Sequence, residues 1–190
     1  TPKINPSVSL NYRRKKINFF VQADHLYSET LNKNEFVTRT YDDGTVINQQ
    51  LKRNRNTHFF NSKAGVDWFI DDFNTLTVSG LFSHESIKDY GDQPFFSGNT
   101  GESVRLWQFL EDEVVTASMG SLAYEHRFSQ PGHKLSAGFN YTFDRENESY
   151  FFTNTRPAFT ADESFHLIAD QKVADFNLDY TRPMKHGLLE

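Results

Sequence analysis

Apolar and polar residues alternate with a period of two along almost the whole chain, the signature of β-strands with two unlike faces. Residues 119–143 show it most plainly: Gly120, Leu122 and Tyr124 share one side of a first arm. On the second arm Leu135, Ala137, Phe139, Tyr141 and Phe143 share a face, while Lys134, Ser136, Asn140 and Thr142 take the other. Ser129-Gln130-Pro131-Gly132 joins the arms. Its proline presets φ and its glycine tolerates a positive one, which is hairpin chemistry. The unit recurs: Val8, Leu10 and Tyr12 lead to the turn Arg13-Arg14-Lys15-Lys16, and Ile17, Phe19, Val21 and Ala23 lead away from it. Ala64, Val66, Trp68 and Ile70 run into Asp71-Asp72-Phe73-Asn74, and Leu76, Val78, Gly80 and Phe82 follow.

A long period underlies these arms. Leu10-Asn11-Tyr12, Val66-Asp67-Trp68, Leu122-Ala123-Tyr124 and Leu178-Asp179-Tyr180 each precede a short turn, and their aromatic residues stand 56 apart in every interval (68 − 12, 124 − 68, 180 − 124). Reversals near Gly44, Thr100 and Pro157 keep nearly the same beat, at intervals of 56 and 57. Each unit is therefore one strand out, a distal reversal and one strand back. Propeller blades have comparable periods but shorter strands and more frequent turns. The expected fold is all-β: an antiparallel up-and-down meander of about seven long strands, one domain over residues 1–190, part of a transmembrane β-barrel.

Length and rings favour the membrane closure. About 9–11 residues cross a bilayer at barrel tilt. Half of a 56-residue unit therefore crosses and projects well beyond. Tyr12, Trp68, Tyr124 and Tyr180 sit just inside the short turns, where an aromatic girdle belongs. Tyr27, Phe60, Phe82, Tyr141 and Phe143 stand where a second girdle belongs, and Thr116 and Ser118 interrupt it. A soluble sheet would carry the same alternation with its apolar face inward, and alternation does not tell which face is inside.

Composition removes several classes. Aromatic residues make up 15% while mean hydropathy is -0.65, so apolar content is concentrated in rings on otherwise polar strands. A net charge of -5 without a dense basic stripe argues against nucleic acid as a partner. The basic run at residues 13–16 reads as a solvated turn tip. With no cysteine there is no disulfide framework and no thiolate chemistry, which suits a bacterial surface or periplasmic protein. Thr1-Pro2-Lys3 is no signal peptide and reads as the continuation of a longer protein.

Candidate chemistry is sparse. His58, His84, His126 and His166 lie singly in strands, with no His-x-x-x-His pair, so solvated or hydrogen-bonded roles are expected and no metal site. Glu111-Asp112-Glu113 and Asp42-Asp43 read as solvated charge runs rather than calcium loops. No nucleophile elbow or phosphate loop is present, so no catalytic residue and no cofactor is expected. The better candidates are distal rings placed to touch a ligand: Phe95, Phe96, Trp107, Tyr150, Phe151 and Phe152.

Leu178-Asp179-Tyr180-Thr181-Arg182-Pro183-Met184, the arm Gly132-His133-Lys134-Leu135-Ser136-Ala137-Gly138-Phe139-Asn140-Tyr141 and Ser7-Val8-Ser9-Leu10-Asn11-Tyr12 resemble barrel segments of the TonB-dependent receptor-like outer-membrane proteins common in Bacteroidetes. The likeness is a texture of repeated hairpins, most specific in Asp-Tyr-Thr-x-Pro. It implies a non-enzymatic receptor in the bacterial outer membrane, importing a nutrient with energy coupled through TonB, its large barrel closed by a plug. Neither plug nor coupling motif is visible, so this chain is expected to be a slice of the barrel. Its partners are then lipid and the rest of the barrel and plug, and the isolated slice is expected to self-associate through its sheet edges. The rival reading is a soluble antiparallel-sheet module binding a ligand or carbohydrate, or a lipocalin-like carrier; a surface adhesin ranks third.

Overall fold

The computed structural model describes residues 2–156 and 161–189, the side chains of Asn32, Lys33 and Arg156 excepted. Among the described residues nine strands form one antiparallel sheet. They are β1 (Lys3–Ile4), β2 (Ser7–Arg14), β3 (Ile17–Thr40), β4 (Val46–Phe69), β5 (Asn74–Ser97), β6 (Ser103–Arg127), β7 (Lys134–Arg156), β8 (Glu163–Met184) and β9 (Gly187–Leu189). Every strand from β3 to β8 pairs with the next in sequence, while β1 and β2 both pair with β3. β1 and β2 are one arm interrupted at Asn5-Pro6, since Lys3↔Ser28 and Ser7↔Asp24 keep the same register on β3. Counted so, and setting aside the three-residue β9, seven arms run up and down as the alternation predicts, but the first is short and the six from β3 to β8 are 22–25 residues long. No pairing closes β1 and β2 onto β8 or β9 among the described residues, so the sheet is open.

Local chemistry sets the reversals. Lys15 turns β2 into β3 at a φ of 53°, and Gly44, Gly101 and Gly132 occupy the same left-handed region at 84°, 76° and 78°. Glycine fits there because it has no Cβ to collide with the backbone. Between β4 and β5 Asp71 does the work: its Oδ1 accepts the backbone N–H groups of Phe73 and Asn74, both at 2.8 Å. The reversal expected near Pro157 lies outside the described residues. The distal halves are strand almost to their tips rather than long loops, with β3 joined to β4 through residues 41–45.

Register assigns every side chain to one of two faces. On the first face one row reads Tyr12, Phe19, Val66, Val78, Leu122, Phe139 and Phe176, and the next Leu10, Val21, Ala64, Gly80, Gly120, Tyr141 and Ala174. On the second face the corresponding rows are Asn18, Asp67, Thr77, Ala123, Gly138 and Asn177, then Phe20, Gly65, Ser79, Ser121, Asn140 and Asp175, with Phe20 as the one ring among them. The faces differ in shelter as well as in polarity. Asn18, Gln49, Ile87, Asp89, Gln93, Phe95, Phe109, Glu111 and Glu148 are buried, and register puts all of them on the second face. The first face leaves Tyr12, Phe19, Trp68, Val78, Leu122, Phe139 and Phe176 exposed, the last at 72%. A flat sheet would treat its faces alike, so this one-sided shielding is what a sheet curling over its polar face produces.

Candidate functional site

The polar face is layered from the short turns to the distal tips. Nearest the short turns it carries small polar side chains that hydrogen-bond one another, although Asn18 Oδ1 is left without a partner. Asn18 Nδ2 donates to Asp67 Oδ2 at 2.9 Å, Thr77 Oγ1 to Asp67 Oδ1 at 2.8 Å, and Asn61 Nδ2 to Asp24 Oδ1 at 3.2 Å. A concavity of about 460 Å³ lies over Thr77, Ser121, Asn140 and Asn177. Phe69 and Tyr124 stand at its wall among these polar side chains.

Above it lies a charged layer. Asp89 is fully buried, and its Oδ2 accepts from Arg55 Nε at 3.1 Å and faces Arg53 Nη1 at 3.5 Å. Arg53 reaches on to Glu35 at 3.0 Å and Arg55 to Glu111 at 3.7 Å. Glu113 stands directly opposite Glu148, which accepts the Tyr150 hydroxyl, and Glu111, Glu113 and Glu148 bring one oxygen each within 4.8 Å of one another. Like charges so placed repel. Burial first, then the neighbouring Asp89 carboxylate, pushes Glu111 up from 4.5 to about 6. Burial and Glu148 raise Glu113 as well, and burial and the Glu148 hydrogen bond raise Tyr150. Glu111-Asp112-Glu113 is therefore not a solvated run: alternation sends Asp112 to the other face, 3.8 Å from Lys88, and buries Glu111. Asp43 does behave as a turn residue, its carboxylate lowered by the Thr45 backbone donor.

A pH dependence follows. Between pH 4.5 and about 6 the folded chain holds a proton on Glu111 that the unfolded chain has released. The stabilisation linked to that proton is full below the unfolded pKa and is lost as pH rises through about 6. Denaturant midpoints of the parent should therefore decline across this window relative to Glu111→Gln, which removes the titrating group. The comparison isolates Glu111 from Asp43 and Asp71, whose lowered pKa values act in the opposite sense.

Rings form the next layer. Phe95 meets Trp107 edge-on at 4.8 Å, Trp107 lies 5.1 Å from Phe152, and Phe109 bridges Phe152 at 5.5 Å and Tyr150 at 5.9 Å. Of the six distal rings singled out in the sequence, Phe95, Trp107, Tyr150 and Phe152 come together, whereas Phe96 and Phe151 take the opposite face. Phe109 and Phe165 complete the cluster, Phe165 facing Tyr150 at 6.1 Å. Their signal was available in the two-residue step from Trp107 to Phe109 and in the pairing of β8 with Tyr150. Phe95 and Phe109 are buried and form its wall; Phe165 is exposed.

No protein-family model and no curated protein matches this chain. The functional reading therefore rests on its own geometry.

Tyr12, Trp68, Tyr124 and Tyr180 share the apolar face at the short-turn end. Two are tethered by their hydroxyls: Tyr124 donates to Asn74 Oδ1 at 2.5 Å, and Tyr180 lies 2.9 Å from His133 Nε2. At the far side of the belt, Ser118 has Phe82 and Phe143 as its direct cross-strand neighbours, so rings flank the gap in the second row. Trp68 and Phe60 are eight residues apart on β4. At ~3.3 Å per residue that is about 27 Å of strand, or about 20 Å of height at ~40° tilt, close to the ~25 Å apolar band of membrane barrels. Glu111, thirteen residues from Tyr124 on β6, stands beyond that band. Beyond the second row the same face turns polar, and His58 is not solitary there: its Nδ1 lies 3.4 Å from His25 Nε2.

Proposed function

We propose that this chain is a wall segment of an outer-membrane receptor or transporter barrel, of the TonB-dependent kind its hairpins resemble. Its apolar belt faces lipid, its polar face looks into the lumen, and its distal strands project outside. The carrying observation is the division of burial between the faces: belt side chains from Tyr12 to Phe176 are exposed on one, while the other shelters Asn18, Asp89, Glu111 and Glu148 together with the distal Phe95 and Phe109. A soluble sheet of this curvature turns its apolar belt under the curl, and a membrane barrel inverts that order at the level of the belt; the buried rings Phe95 and Phe109 stand at the distal end, past it. The open edges fit the reading too. The outer edge of β8 is unpaired from Glu163 to Thr181 among the described residues, so a neighbouring strand of the same barrel is its natural partner. On its own the segment would pair that edge with another copy. The soluble binding module is the rival, and it requires something else to cover the belt.

Trp68 tests this. Trp68 and Trp107 are the two tryptophans, so Trp107→Phe leaves Trp68 as sole emitter. In bilayers containing brominated lipids, Trp68 emission is expected to be quenched most by bromines near the headgroups. Emission unchanged by bromine at every depth would remove the girdle and the membrane reading with it.

A further inference from the structure

Above the ring layer, at the distal end, Arg39, Tyr41, Gln49, Phe95, Arg105 and Trp107 line a cavity of about 230 Å³. Alternation brings them there: register places Gln49 opposite Phe95 and Phe95 opposite Arg105, on the sheltered face. The charge of this wall reverses that of the chain. The protein carries a net charge of -5, yet two guanidiniums and no carboxylate line the cavity.

The two arginines differ in what holds them. Arg105 is locked: Nε donates to Asn154 Oδ1 at 2.8 Å, Nη2 donates to Glu163 Oε1 at 3.0 Å, and its guanidinium lies 4.0 Å over the Trp107 ring. That leaves Nη1 without a partner among the described residues. Arg39 has neither an ion pair nor a hydrogen bond among the described residues. Gln49 is buried, and its amide donates to Gln93 Oε1 at 3.1 Å, which fixes its orientation.

We propose that this cavity binds a small ring compound bearing one carboxylate. The carboxylate sits against the Arg39 guanidinium, whose planar fork matches it, with Arg105 as the second cation. The ring lies among Tyr41, Phe95 and Trp107, which supply flat apolar walls. Size sets the upper limit: the cavity falls below the ~300–1,000 Å³ of drug-sized sites, so a single ring suits it. The carboxylate layer beneath holds Asp89, Glu111 and Glu148, which repel an anion and keep it at the mouth. The inference rests on the distal half of the polar face being open to ligand. It does not require the belt to face lipid.

The whole chain in detergent micelles, carrying Trp68→Phe so that Trp107 alone emits, is titrated with glucuronate and benzoate, and with their neutral counterparts glucose and benzyl alcohol. At least one acid is expected to change the emission saturably, and its neutral counterpart to bind at least tenfold more weakly. Arg39→Gln should weaken the acid about tenfold with an unchanged far-ultraviolet sheet spectrum, Arg39→Lys should recover part of the loss, and added salt should weaken binding. Response to glucuronate alone identifies a sugar acid, to benzoate alone an aromatic acid, and to both a site that reads the carboxylate. If neither acid saturates, if the neutral compounds bind as well, or if Arg39→Gln binds like the parent, the proposal is wrong. Acid binding with Trp68 unquenched by lipid in the other assay would defeat the membrane reading alone.

Discussion

Replacing Asp89 by alanine is expected to lower stability by about 3 kcal/mol, at the lower end of the ~3–5 kcal/mol for breaking a buried ion pair from one side. Asp89 is the fully buried carboxylate of the sheet and meets two guanidiniums, Arg55 at 3.1 Å and Arg53 at 3.5 Å. Its loss strands both partners in a sheltered layer. The cost stays at the lower end because each keeps another acid, Glu35 at 3.0 Å from Arg53 and Glu111 at 3.7 Å from Arg55. A second effect has the opposite sign. Asp89 is the leading charge that raises Glu111, so its removal lets Glu111 titrate closer to its ordinary value. Asp89 Oδ1 has no hydrogen-bond partner, so Asp89→Asn, which keeps the shape, should cost less than alanine. Urea midpoints of the three proteins measure this order. A loss below about 1 kcal/mol for Asp89→Ala would mean that the arginines are held by their other acids and that Asp89 is dispensable.

Much of this architecture was legible because a strand leaves two independent marks on sequence. Alternation marks the faces, and the 56-residue beat of Tyr12, Trp68, Tyr124 and Tyr180 marks the hairpins. Between them they predict an up-and-down meander, and the sheet is one. What alternation leaves open is the sense of curvature, because curling depends on how rows on neighbouring strands fill one face. Burial of Asp89, Glu111 and Phe109 answers that. The candidate site was half legible for a related reason. Phe95-Phe96 and Phe151-Phe152 stand out as doublets, but adjacent residues of a strand point to opposite faces, so each doublet supplies one ring to the cluster. The same rule splits Glu111 from Asp112. Phe165 joins through pairing between β7 and β8, which a single strand's pattern does not contain.

Val78→Arg should separate the membrane sheet from the soluble one. Val78 lies in the belt on β5, one row inside the row of Trp68, Leu76 and Tyr124, with Val66 and Leu122 as its cross-strand neighbours, and is 52% exposed. If the belt meets water, an exposed arginine there is nearly neutral, within about ±0.5 kcal/mol, since the long stem covers its neighbours and the guanidinium stays hydrated. If the belt meets lipid, the same change costs about 1–2 kcal/mol at this depth, between the ~2–4 of the midplane and the ~0–1 of the interface. Leu76, two residues toward the short turns, is in the row of Trp68 and Tyr124, so snorkelling toward the near headgroups relieves part of the cost and holds it below the midplane value. Thr77→Arg is the matched control one residue away: it lies on the polar face beside Asp67, so a cation there gains a counter-charge. Folding of both variants into bilayers, read as the urea midpoint against the parent, should therefore show the larger loss for Val78→Arg and the smaller for Thr77→Arg. Equal losses would mean that the two faces meet the same solvent, and the division of burial would then need a covering partner rather than lipid to explain it.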